Sequence, residues 1–435
     1  MTPPRSCQKA ETGVHSLLCG RQQLVCIVCK NNHLTEQIYF LLDPTSVEHM
    51  ATPASASGGG ANTDSGTAAV VPKIVSLFEH LPSPILQDFV RGNRVNLISP
   101  PPGLTFSELH EWFLTHLPGA DAAITWPVAG RFGAEQIAAA GDRLKVVSTY
   151  SVGTDAVDRA ACHDAGIRVG YTPYIGDDSI AEYTIAMLLH YCRRIDHLLS
   201  LVMEGKFAAS LRDVLRDPTM HCGFSPAGKT VGFYGFGRIA QKTAEKLLSF
   251  DVKKIAYTTS RSKPFAAESF PRLHSLRESF YPQTQIVNEP DLLQLAAQSD
   301  ILIVLCPGNA STNATINSTV FDRMKSTAVL INVARGTVVV NEDLEKALRE
   351  NKIAAALLDV IQGEPNVDSS HPLLAEDLRD RVMILPHTAS TVVDTRKMMA
   401  DVTARNILVS LGFDNDLLGD KATLIEQRAW THFAE

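Results

Sequence analysis

Short apolar runs alternate with polar, turn-rich and helical segments along the chain from Pro72 onward. In the first half the runs read VPKIVSLFE, VNLIS, AAITWPV, KVVSTYS and IRVGYTP. Runs of this kind, spaced by helical segments, are typical of a parallel sheet that is covered by helices on both faces. The pattern therefore predicts an α/β domain that begins near residue 71.

A second series of apolar runs begins at Thr230 and reads TVGFYG, KKIAYTT, ILIVLC, AVLINVA, AAALLDV and RVMILPH. These runs are apolar at nearly every position, as expected for parallel strands that are buried on both faces. Between the two series, the segment from Ser179 to about Leu201 predicts one long, largely apolar helix. Residues 387–412 predict a further helix that returns to the first domain, so that the second domain is inserted into the first.

Residues 51–70 form a tract of small and polar side chains, ATPASASGGGANTDSGTAAV, which cannot build a core. We therefore expect a disordered N-terminal extension and linker over residues 1–70. Met50 directly precedes the tract and suggests a natural start, with residues 1–49 dispensable. Within this extension, Cys26, Cys29 and His33 have the spacing of part of a zinc site or of a redox pair, although incidental cysteines give the same pattern.

Composition restricts the class of protein. The formal net charge is −7 and no long basic stripe is present, which argues against nucleic acid as a partner. No apolar run has the length that a membrane span requires. The scattered cysteines Cys162, Cys192, Cys222 and Cys306 resemble ordinary small apolar residues of a reduced compartment. These features predict a soluble, cytoplasmic protein without a resident metal.

A glycine-rich turn joins the first strand of the second series to a helix. It reads Gly235-Phe236-Gly237-Arg238-Ile239-Ala240. Gly235 permits the tight turn, Gly237 lets the backbone approach a pyrophosphate, and Ala240 is small enough for the helix to pack on its strand. The residues from Gly235 to Ile239 are thus candidates for binding a dinucleotide at the N-terminus of the helix.

Three polar residues each follow a buried strand, at the edge where open α/β sheets bind ligands. Arg335 follows VLINVA, Glu364 follows LLDV, and His387 ends VMILPH. Arg335 would hold the carboxylate of a 2-oxo acid and polarise its ketone. His387 would exchange the hydroxyl proton, and Glu364 would fix its tautomer. Alone, each fits a surface ion pair or a core histidine, but together they indicate an active site.

Several sequence blocks, in order over nearly all of residues 72–412, resemble the D-isomer-specific 2-hydroxyacid dehydrogenase family. They read SVGTDAVD (151–158), TPYIGDDSIAEYTIAMLLHYCRR (172–194), TVGFYGFGRIAQ, MKSTAVLINVARGTVVVNEDLEKAL (324–348), AAALLDVIQGEP and ILPHTAST. With the strand pattern, the resemblance implies two doubly wound parallel-sheet domains. A Rossmann NAD(P) domain (residues 221–389) would be inserted into a flavodoxin-like substrate domain (residues 71–220 plus 390–435). Members of this family are usually homodimers.

The resemblance also implies roles for single residues. Arg335, Glu364 and His387 match the catalytic arginine, glutamate and histidine of the family. Val152 and Gly153 match the loop whose backbone N–H groups hold the substrate carboxylate. The residues that would line the cofactor groove are Cys306, Pro307, Thr312, Val333 and Asp359, with Asp359 at the nicotinamide carboxamide. Asp178 is a further candidate for cofactor binding, although Asp178 and Glu182 also read as acids that complement a helix dipole.

The choice of cofactor depends on the end of the second strand of the nucleotide domain. NAD enzymes place an acid about 20 residues past the glycines, where it bonds the ribose 2′-hydroxyl. Here the segment reads Tyr257-Thr258-Thr259-Ser260-Arg261 and contains no acid. A carboxylate would repel a 2′-phosphate, whereas Thr259, Ser260 and Arg261 would bind it. We therefore expect NADP(H) to be preferred over NAD(H), unless Arg261 is only a solvated loop residue.

Two departures from the family bear on the substrate. Trp126 replaces a smaller residue at a pocket-facing position, where it would narrow the pocket or supply a flat wall, unless it belongs to the core. Asp177 stands where glyoxylate reductases of the family often have Thr, which would change the polarity near the cofactor.

The resemblance implies an NADP-dependent reductase of small 2-oxo acids, with glyoxylate or hydroxypyruvate as substrate. Hydride would pass from the nicotinamide to the carbonyl carbon, and His387 would protonate the new alkoxide. A 2-hydroxyacid dehydrogenase for a larger substrate is one alternative. The other is an NAD(H)-binding transcriptional corepressor of the C-terminal-binding-protein type, which shares the fold and similar catalytic residues.

Overall fold

The computed structural model describes residues 70–261 and 263–413, together with the backbone of three short strands nearer the N-terminus. Those strands, Val14–His15, Ile27–Lys30 and His33–Leu34, pair antiparallel in one sheet. They belong to a unit of residues 1–68, and a second unit begins at Ala69. The predicted disordered extension, Met50 and the side chains of Cys26, Cys29 and His33 lie outside the described residues, so these interpretations stay predictions.

Five parallel strands form the first sheet of the second unit. In chain order they are β1 (Lys73–Ser76), β2 (Asn96–Ile98), β3 (Ala122–Thr125), β4 (Val146–Thr149) and β5 (Arg168–Gly170). Their spatial order is β2-β1-β3-β4-β5, with every pair parallel. This is the flavodoxin-like order. Both faces are buried, since Ile74 and Val75 pack into different core clusters.

Seven parallel strands form the second sheet. They are β6 (Thr230–Tyr234), β7 (Lys254–Thr258), β8 (Gln285–Asn288), β9 (Ile301–Val304), β10 (Val329–Asn332), β11 (Ala355–Leu358) and β12 (Val382–Ile384). Their spatial order is β8-β7-β6-β9-β10-β11-β12. The first six strands in this order have the dinucleotide-binding arrangement, and β12 adds a seventh strand at the edge. Ile301 and Leu302 face different core clusters, which explains why these strands are apolar throughout.

Helices cover both sheets. In chain order they are α1 (Pro84–Arg91), α2 (Phe106–His116), α3 (Ala134–Ala140), α4 (Arg159–Asp164), α5 (Asp177–Cys192), α6 (Ile195–Met203), α7 (Phe207–Arg216), α8 (Arg238–Leu248), α9 (Pro271–Phe280), α10 (Leu292–Gln298), α11 (Ser318–Phe321), α12 (Asn341–Arg349) and α13 (Val393–Ser410). In the described part of the chain, no helix combines the length and the apolar composition that crossing a membrane requires.

The prediction of one long helix from Ser179 to about Leu201 is wrong, because the structure has two helices in this segment. α5 ends at Cys192, and Arg194 adopts a left-handed conformation (φ 53°) before α6 begins. The N–H of Phe224 bonds the carbonyl of Cys192 at 2.9 Å, and a Cβ on Gly223 would overlap that oxygen. The N–H of Phe224 thus takes the carbonyl that the next turn of α5 would use.

Two helices cross between the sheets. α5 follows the first sheet, yet its buried residues Ile185, Met187 and Leu188 belong to the core cluster of β6 and α8. α13 follows β12 and packs on the first sheet, where Met399 and Ile407 share a cluster with Ile74. The return of α13 agrees with the insertion expected from the sequence, while the exact domain boundaries stay predictions.

Candidate active site

A cleft of about 850 Å³ lies at the carboxyl ends of both sheets. Loops that follow strands of the two sheets supply its walls, as expected for open α/β sheets. Its lining includes Trp126, Tyr150, Val152, Gly153 and Asp155 from the first sheet and Gly237, Arg238, Ile239, Cys306, Pro307, Val333, Arg335, Asp359 and His387 from the second. The cleft therefore brings together most of the residues that the sequence singles out.

His387 and Glu364 form a pair at the ends of β11 and β12. Nδ1 of His387 lies 3.3 Å from Oε1 of Glu364, and each side chain is about three-quarters buried. His387 has a left-handed backbone (φ 53°), and its N–H donates to the carbonyl of Asp359 at 2.9 Å. A non-glycine residue in this conformation is held by its surroundings. When Nδ1 carries the proton toward Glu364, Nε2 is the nitrogen left for the cleft.

Arg335 is held by a residue that the sequence reasoning missed. Nε and Nη2 of Arg335 lie 2.9 and 2.8 Å from the two carboxylate oxygens of Asp155, and Nη1 donates to the carbonyl of Ala334 at 2.8 Å. These bonds use three of the five guanidinium N–H groups. One N–H on Nη1 and one on Nη2 remain, and Arg335 lines the cleft in which a ligand could accept from them. Arg335 thus keeps one two-pronged edge for a carboxylate or a ketone.

The Asp155–Arg335 pair joins the two sheets across the cleft. Asp155 follows β4, and Arg335 follows β10. Burial alone would raise the pKa of Asp155, but the hydrogen bonds and the charge of Arg335 outweigh burial and hold that pKa below its ordinary value. The SVGTDAVD block was the available signal for Asp155, but only the fold shows that its carboxylate reaches Arg335.

Gly153 and Gly308 leave room for this guanidinium. A Cβ on Gly153 would lie 1.9 Å from Nη2 of Arg335, and a Cβ on Gly308 would lie 2.7 Å from its Cγ. Val152 and Gly153 line the cleft, and Arg335 lies directly against Gly153. Their contact with a substrate carboxylate stays a prediction. A side chain at position 153 would force Arg335 to move.

Asp359 organises the loop that carries His387. Its two oxygens accept hydrogen bonds from the N–H groups of Thr388 (2.7 Å) and Ala389 (3.0 Å). Burial raises the pKa of Asp359 despite these bonds. Asp359 therefore has a structural task in addition to the predicted contact with a nicotinamide carboxamide.

The glycine-rich turn fits a dinucleotide. Gly235 has a φ of +91°, and a Cβ there would lie 2.5 Å from the N of Cys306. A Cβ on Gly237 would instead project into open space at the first turn of α8, where no side chain caps the backbone N–H groups. This open helix N-terminus in the cleft is the place that a pyrophosphate needs. The ring of Phe236 stacks on Tyr257 (4.1 Å between centroids), so Phe236 offers only its backbone.

Arg238 is held at the first turn of α8 by residues from the first domain. Its Nε donates to Oδ2 of Asp177 at 2.9 Å, and its guanidinium lies 4.1 Å from the centre of the Tyr174 ring. Asp177 is buried, and its Oδ1 has no hydrogen-bond partner among the described residues. Asp177 thus holds Arg238, whose role in binding a cofactor stays a prediction.

Other predicted cofactor residues lie in different surroundings. Cys306, Pro307 and Val333 line the cleft, and burial raises the pKa of the Cys306 thiol to about 12. Thr312 is half-buried and donates to the carbonyl of Pro307 at 2.6 Å. The carboxylate of Asp178 lies 3.3 Å from Nζ of Lys242 and outside the cleft lining.

Ser260 and Arg261 are exposed just past the end of β7, beside the glycine-rich turn that follows β6. The segment from residue 263 onward packs Phe270 against Phe236 and Tyr257. This packing explains part of the long connection before β8.

Trp126 faces the cleft and also contacts the core. Its ring lies 6.1 Å from that of Phe78, and Phe78 lies edge-on to Tyr150 at 4.9 Å. Trp126 therefore lines the cleft and packs against the core at the same time, and its contact with a substrate stays a prediction.

Comparison with known proteins identifies the family of this chain. Residues 185–389 match the D-isomer specific 2-hydroxyacid dehydrogenase, NAD binding domain. The chain is 39% identical to human glyoxylate reductase/hydroxypyruvate reductase over 273 residues, which are 63% of this chain and 76% of the relative. It is 37% identical to glyoxylate reductase of Thermofilum pendens over 272 residues, 62% of this chain and 73% of the relative.

A solved structure has the same fold. The NADPH-dependent glyoxylate/hydroxypyruvate reductase of Sinorhizobium meliloti, in complex with NADP and malonate, superposes with a TM-score of 0.62 at 26% identity. The match covers 82% of this chain and 97% of that one. The chain therefore belongs to the D-isomer specific 2-hydroxyacid dehydrogenase family and is an NAD(P)-dependent oxidoreductase.

Proposed function

We propose that the enzyme reduces small 2-oxo acids, glyoxylate and hydroxypyruvate above all, to 2-hydroxy acids with NADPH. The observation that carries this proposal is the single cleft that Arg335, His387 and the open N-terminus of α8 line together, with Glu364 paired to His387. The names of the human and archaeal relatives support the choice of substrate.

The residues divide the reaction between them. The outward edge of Arg335 binds the substrate carboxylate or its ketone oxygen, and the backbone N–H groups at Val152 and Gly153 hold the carboxylate. A bound nicotinamide supplies the hydride. His387 donates a proton from Nε2 to the carbonyl oxygen as negative charge develops there, and Glu364 stabilises the charged form of the imidazole. In the reverse direction the same nitrogen accepts the hydroxyl proton.

The preference for NADPH is part of this proposal. Ser260 and Arg261 are exposed past β7, and Lys263 follows close by with its ammonium 4.9 Å from the centre of the Phe270 ring. A 2′-phosphate would gain hydrogen bonds and opposite charge here. Because no acid stands in the Thr259–Arg261 segment, nothing in it would bond the free 2′-hydroxyl of NADH as a carboxylate does.

A substrate panel run with both cofactors tests the reaction. We expect glyoxylate and hydroxypyruvate to be reduced, with NADPH giving the higher kcat/KM. Arg261→Ala should lower the NADPH/NADH ratio of kcat/KM by about tenfold, since it removes one charged hydrogen bond, while Arg272→Ala, on the exposed surface of α9, should leave the ratio unchanged. A clear preference for NADH would contradict the cofactor assignment. Tight nucleotide binding without turnover of any 2-oxo acid would favour the corepressor-type alternative.

Assembly as a homodimer also belongs to the proposal. α6 and α7 contain no buried residue, and their large apolar side chains are exposed. Leu199, Met203, Phe207, Leu211 and Leu215 are all more than half exposed. Contiguous apolar patches of this kind mark protein–protein contacts. A second copy of this chain, presenting the same two helices, would cover the face by a two-fold contact.

Sedimentation analysis checks the assembly. The wild-type protein should sediment as a dimer, and Leu211→Glu together with Leu215→Glu should give monomers. Lys206→Glu, at an exposed polar position beside α7, is the matched control and should stay dimeric. A monomeric wild-type protein at micromolar concentration would contradict the homodimer. The cytoplasmic location stays a prediction from the sequence.

A further inference from the structure

One wall of the cleft carries a charged residue that the reaction described above does not use. We call the group Trp126, Tyr150, Arg396 and Met399 the distal wall. All four residues line the same cleft as Arg335 and His387. Trp126 and Tyr150 follow β3 and β4, while Arg396 and Met399 lie on consecutive turns of α13.

Arg396 has surroundings unlike those of Arg335. Its guanidinium carbon lies 5.6 Å from the centre of the Tyr150 ring, and Nη2 lies 3.4 Å from Oγ1 of Thr391. Within residues 70–261 and 263–413, no carboxylate lies within 4.0 Å of its charged nitrogens. A long hydrogen bond to a hydroxyl and a distant ring satisfy few of its five donors.

Arg396 lies at an electrostatically unfavourable position in its helix. It lies in the first turn of α13, where the helix dipole favours anions and disfavours cations. Lys397, the next residue, is exposed and does not line the cleft, whereas Arg396 is half-buried. A cation that is partly removed from water at the unfavourable end of a helix is stabilised when an anion or another oxygen acceptor binds it.

The wall holds Arg396 in place. The hydroxyl of buried Tyr150 donates to the carbonyl of Arg396 at 2.7 Å. The Tyr150 ring in turn packs edge-on against Phe78 at 4.9 Å. The backbone of Arg396 is thereby fixed to the first sheet, and only the side chain is left to adjust to a ligand.

We infer that Arg396 is a specificity-determining residue that binds an oxygen atom on the substrate chain beyond the ketone carbon. The enzyme then favours 2-oxo acids that end in a hydroxyl or a second carboxylate over those with an apolar end. Trp126 and Met399 limit the width of the space. This inference rests on the proposed function, because Arg335 must hold the first carboxylate while Arg396 meets the far end.

Glyoxylate provides an internal control, since it has no carbon beyond its ketone-equivalent carbonyl. Arg396→Met keeps the apolar stem and removes every donor. With NADPH, the variant should lose about 10- to 100-fold in kcat/KM for hydroxypyruvate and oxaloacetate, the range of one hydrogen bond to a charged group. For glyoxylate, pyruvate and 2-oxobutanoate, kcat/KM should change by less than about threefold.

Two further variants separate charge from structure. Arg396→Lys should recover a larger part of the activity on oxaloacetate than on hydroxypyruvate, because it keeps the charge and loses the fork. Lys397→Met removes one charge from the same helical turn outside the cleft, and it should leave all five substrates unchanged.

The outcomes distinguish this inference from the function on which it rests. A uniform loss on all five substrates in Arg396→Met, including glyoxylate, would show a structural role and overturn the inference. Equal activity of wild type and variant on hydroxypyruvate and oxaloacetate would overturn it as well, while the reduction of glyoxylate would stand. A wild-type enzyme that reduces no 2-oxo acid would overturn the proposed function and the inference together.

Discussion

The two sides of the cleft hold their charged residues in different ways. On the side of the second sheet, Arg335 and His387 each have a carboxylate partner, Asp155 and Glu364. On the distal wall, Arg396 has a ring and a hydroxyl instead. Groups that act on the reacting atoms need fixed orientation and charge. A group that selects among substrates gains from donors that the substrate itself satisfies.

Removing the held arginine should have the largest effect. Arg335→Met deletes the outward edge and leaves Asp155 without its partner, so kcat/KM for every 2-oxo acid should fall by on the order of 10³-fold. The loss should include glyoxylate, in contrast to Arg396→Met. Steady-state kinetics on glyoxylate and hydroxypyruvate measures this. A loss confined to hydroxypyruvate would contradict the different roles given to Arg335 and Arg396.

Removing the partner of Arg335 should have an intermediate effect. Asp155→Asn keeps one acceptor and the size of the side chain but loses the charge, so we expect kcat to fall by about 10- to 100-fold. KM for the anionic substrate should stay unchanged or fall, because Arg335 becomes a less neutralised cation. Asp158→Asn, on the same loop and paired with exposed Arg131, is the matched control. A pure rise in KM would contradict the positioning role.

The pH dependence of stability gives the same pair a second test. Because the pKa of Asp155 is depressed in the folded state, its contribution is present above the ordinary aspartate pKa of about 4. It is lost as the pH falls through the depressed value. The difference in unfolding free energy between wild type and Asp155→Asn should therefore be constant from about pH 5 to pH 8 and shrink below about pH 4. A difference that grows on acidification would be inconsistent with this pair.

The smallest effect on turnover should come from the thiols. Burial raises the pKa values of Cys162, Cys192 and Cys306 to about 12, so at pH 8 each should react on the order of 10³-fold more slowly than in the denatured chain. Of the four cysteines in residues 70–261 and 263–413, exposed Cys222 should react first. Peptide mapping after timed alkylation checks the order, and kcat/KM should stay within about twofold. Rapid labelling of Cys306 with loss of activity would contradict the burial of this thiol in the cleft wall.

The sequence predicts the second-sheet side of the cleft far better than the distal wall. Arg335, Glu364 and His387 follow strands whose parallel order forces their ends together. The strand order does not predict the positions of Asp155 and Arg396. Asp155 follows a strand of the first sheet and contacts Arg335 of the second, and Arg396 lines the cleft only because α13 returns to the first sheet. Such contacts depend on the packing of distant segments, which no local pattern encodes.

The same reasoning explains the divided helix. The apolar pattern from Ser179 to Leu201 continues without a break, but Gly223 and Phe224 bind the end of α5 and the chain turns at Arg194. Hydrophobic periodicity therefore predicts the type of element. It cannot predict where a helix ends when a backbone N–H from a remote segment bonds its last carbonyl.

The most direct test of the central claim is transient kinetics of His387→Gln with NADPH and glyoxylate. The substitution keeps a polar side chain of similar size and removes the acid, while leaving the turn at Gly237 and Arg238 untouched. We expect NADPH to bind with unchanged affinity and the rate of its oxidation to fall by about 10²- to 10⁴-fold. A rate within tenfold of wild type, with NADPH bound normally, would contradict the assignment of His387 as the proton donor of this cleft.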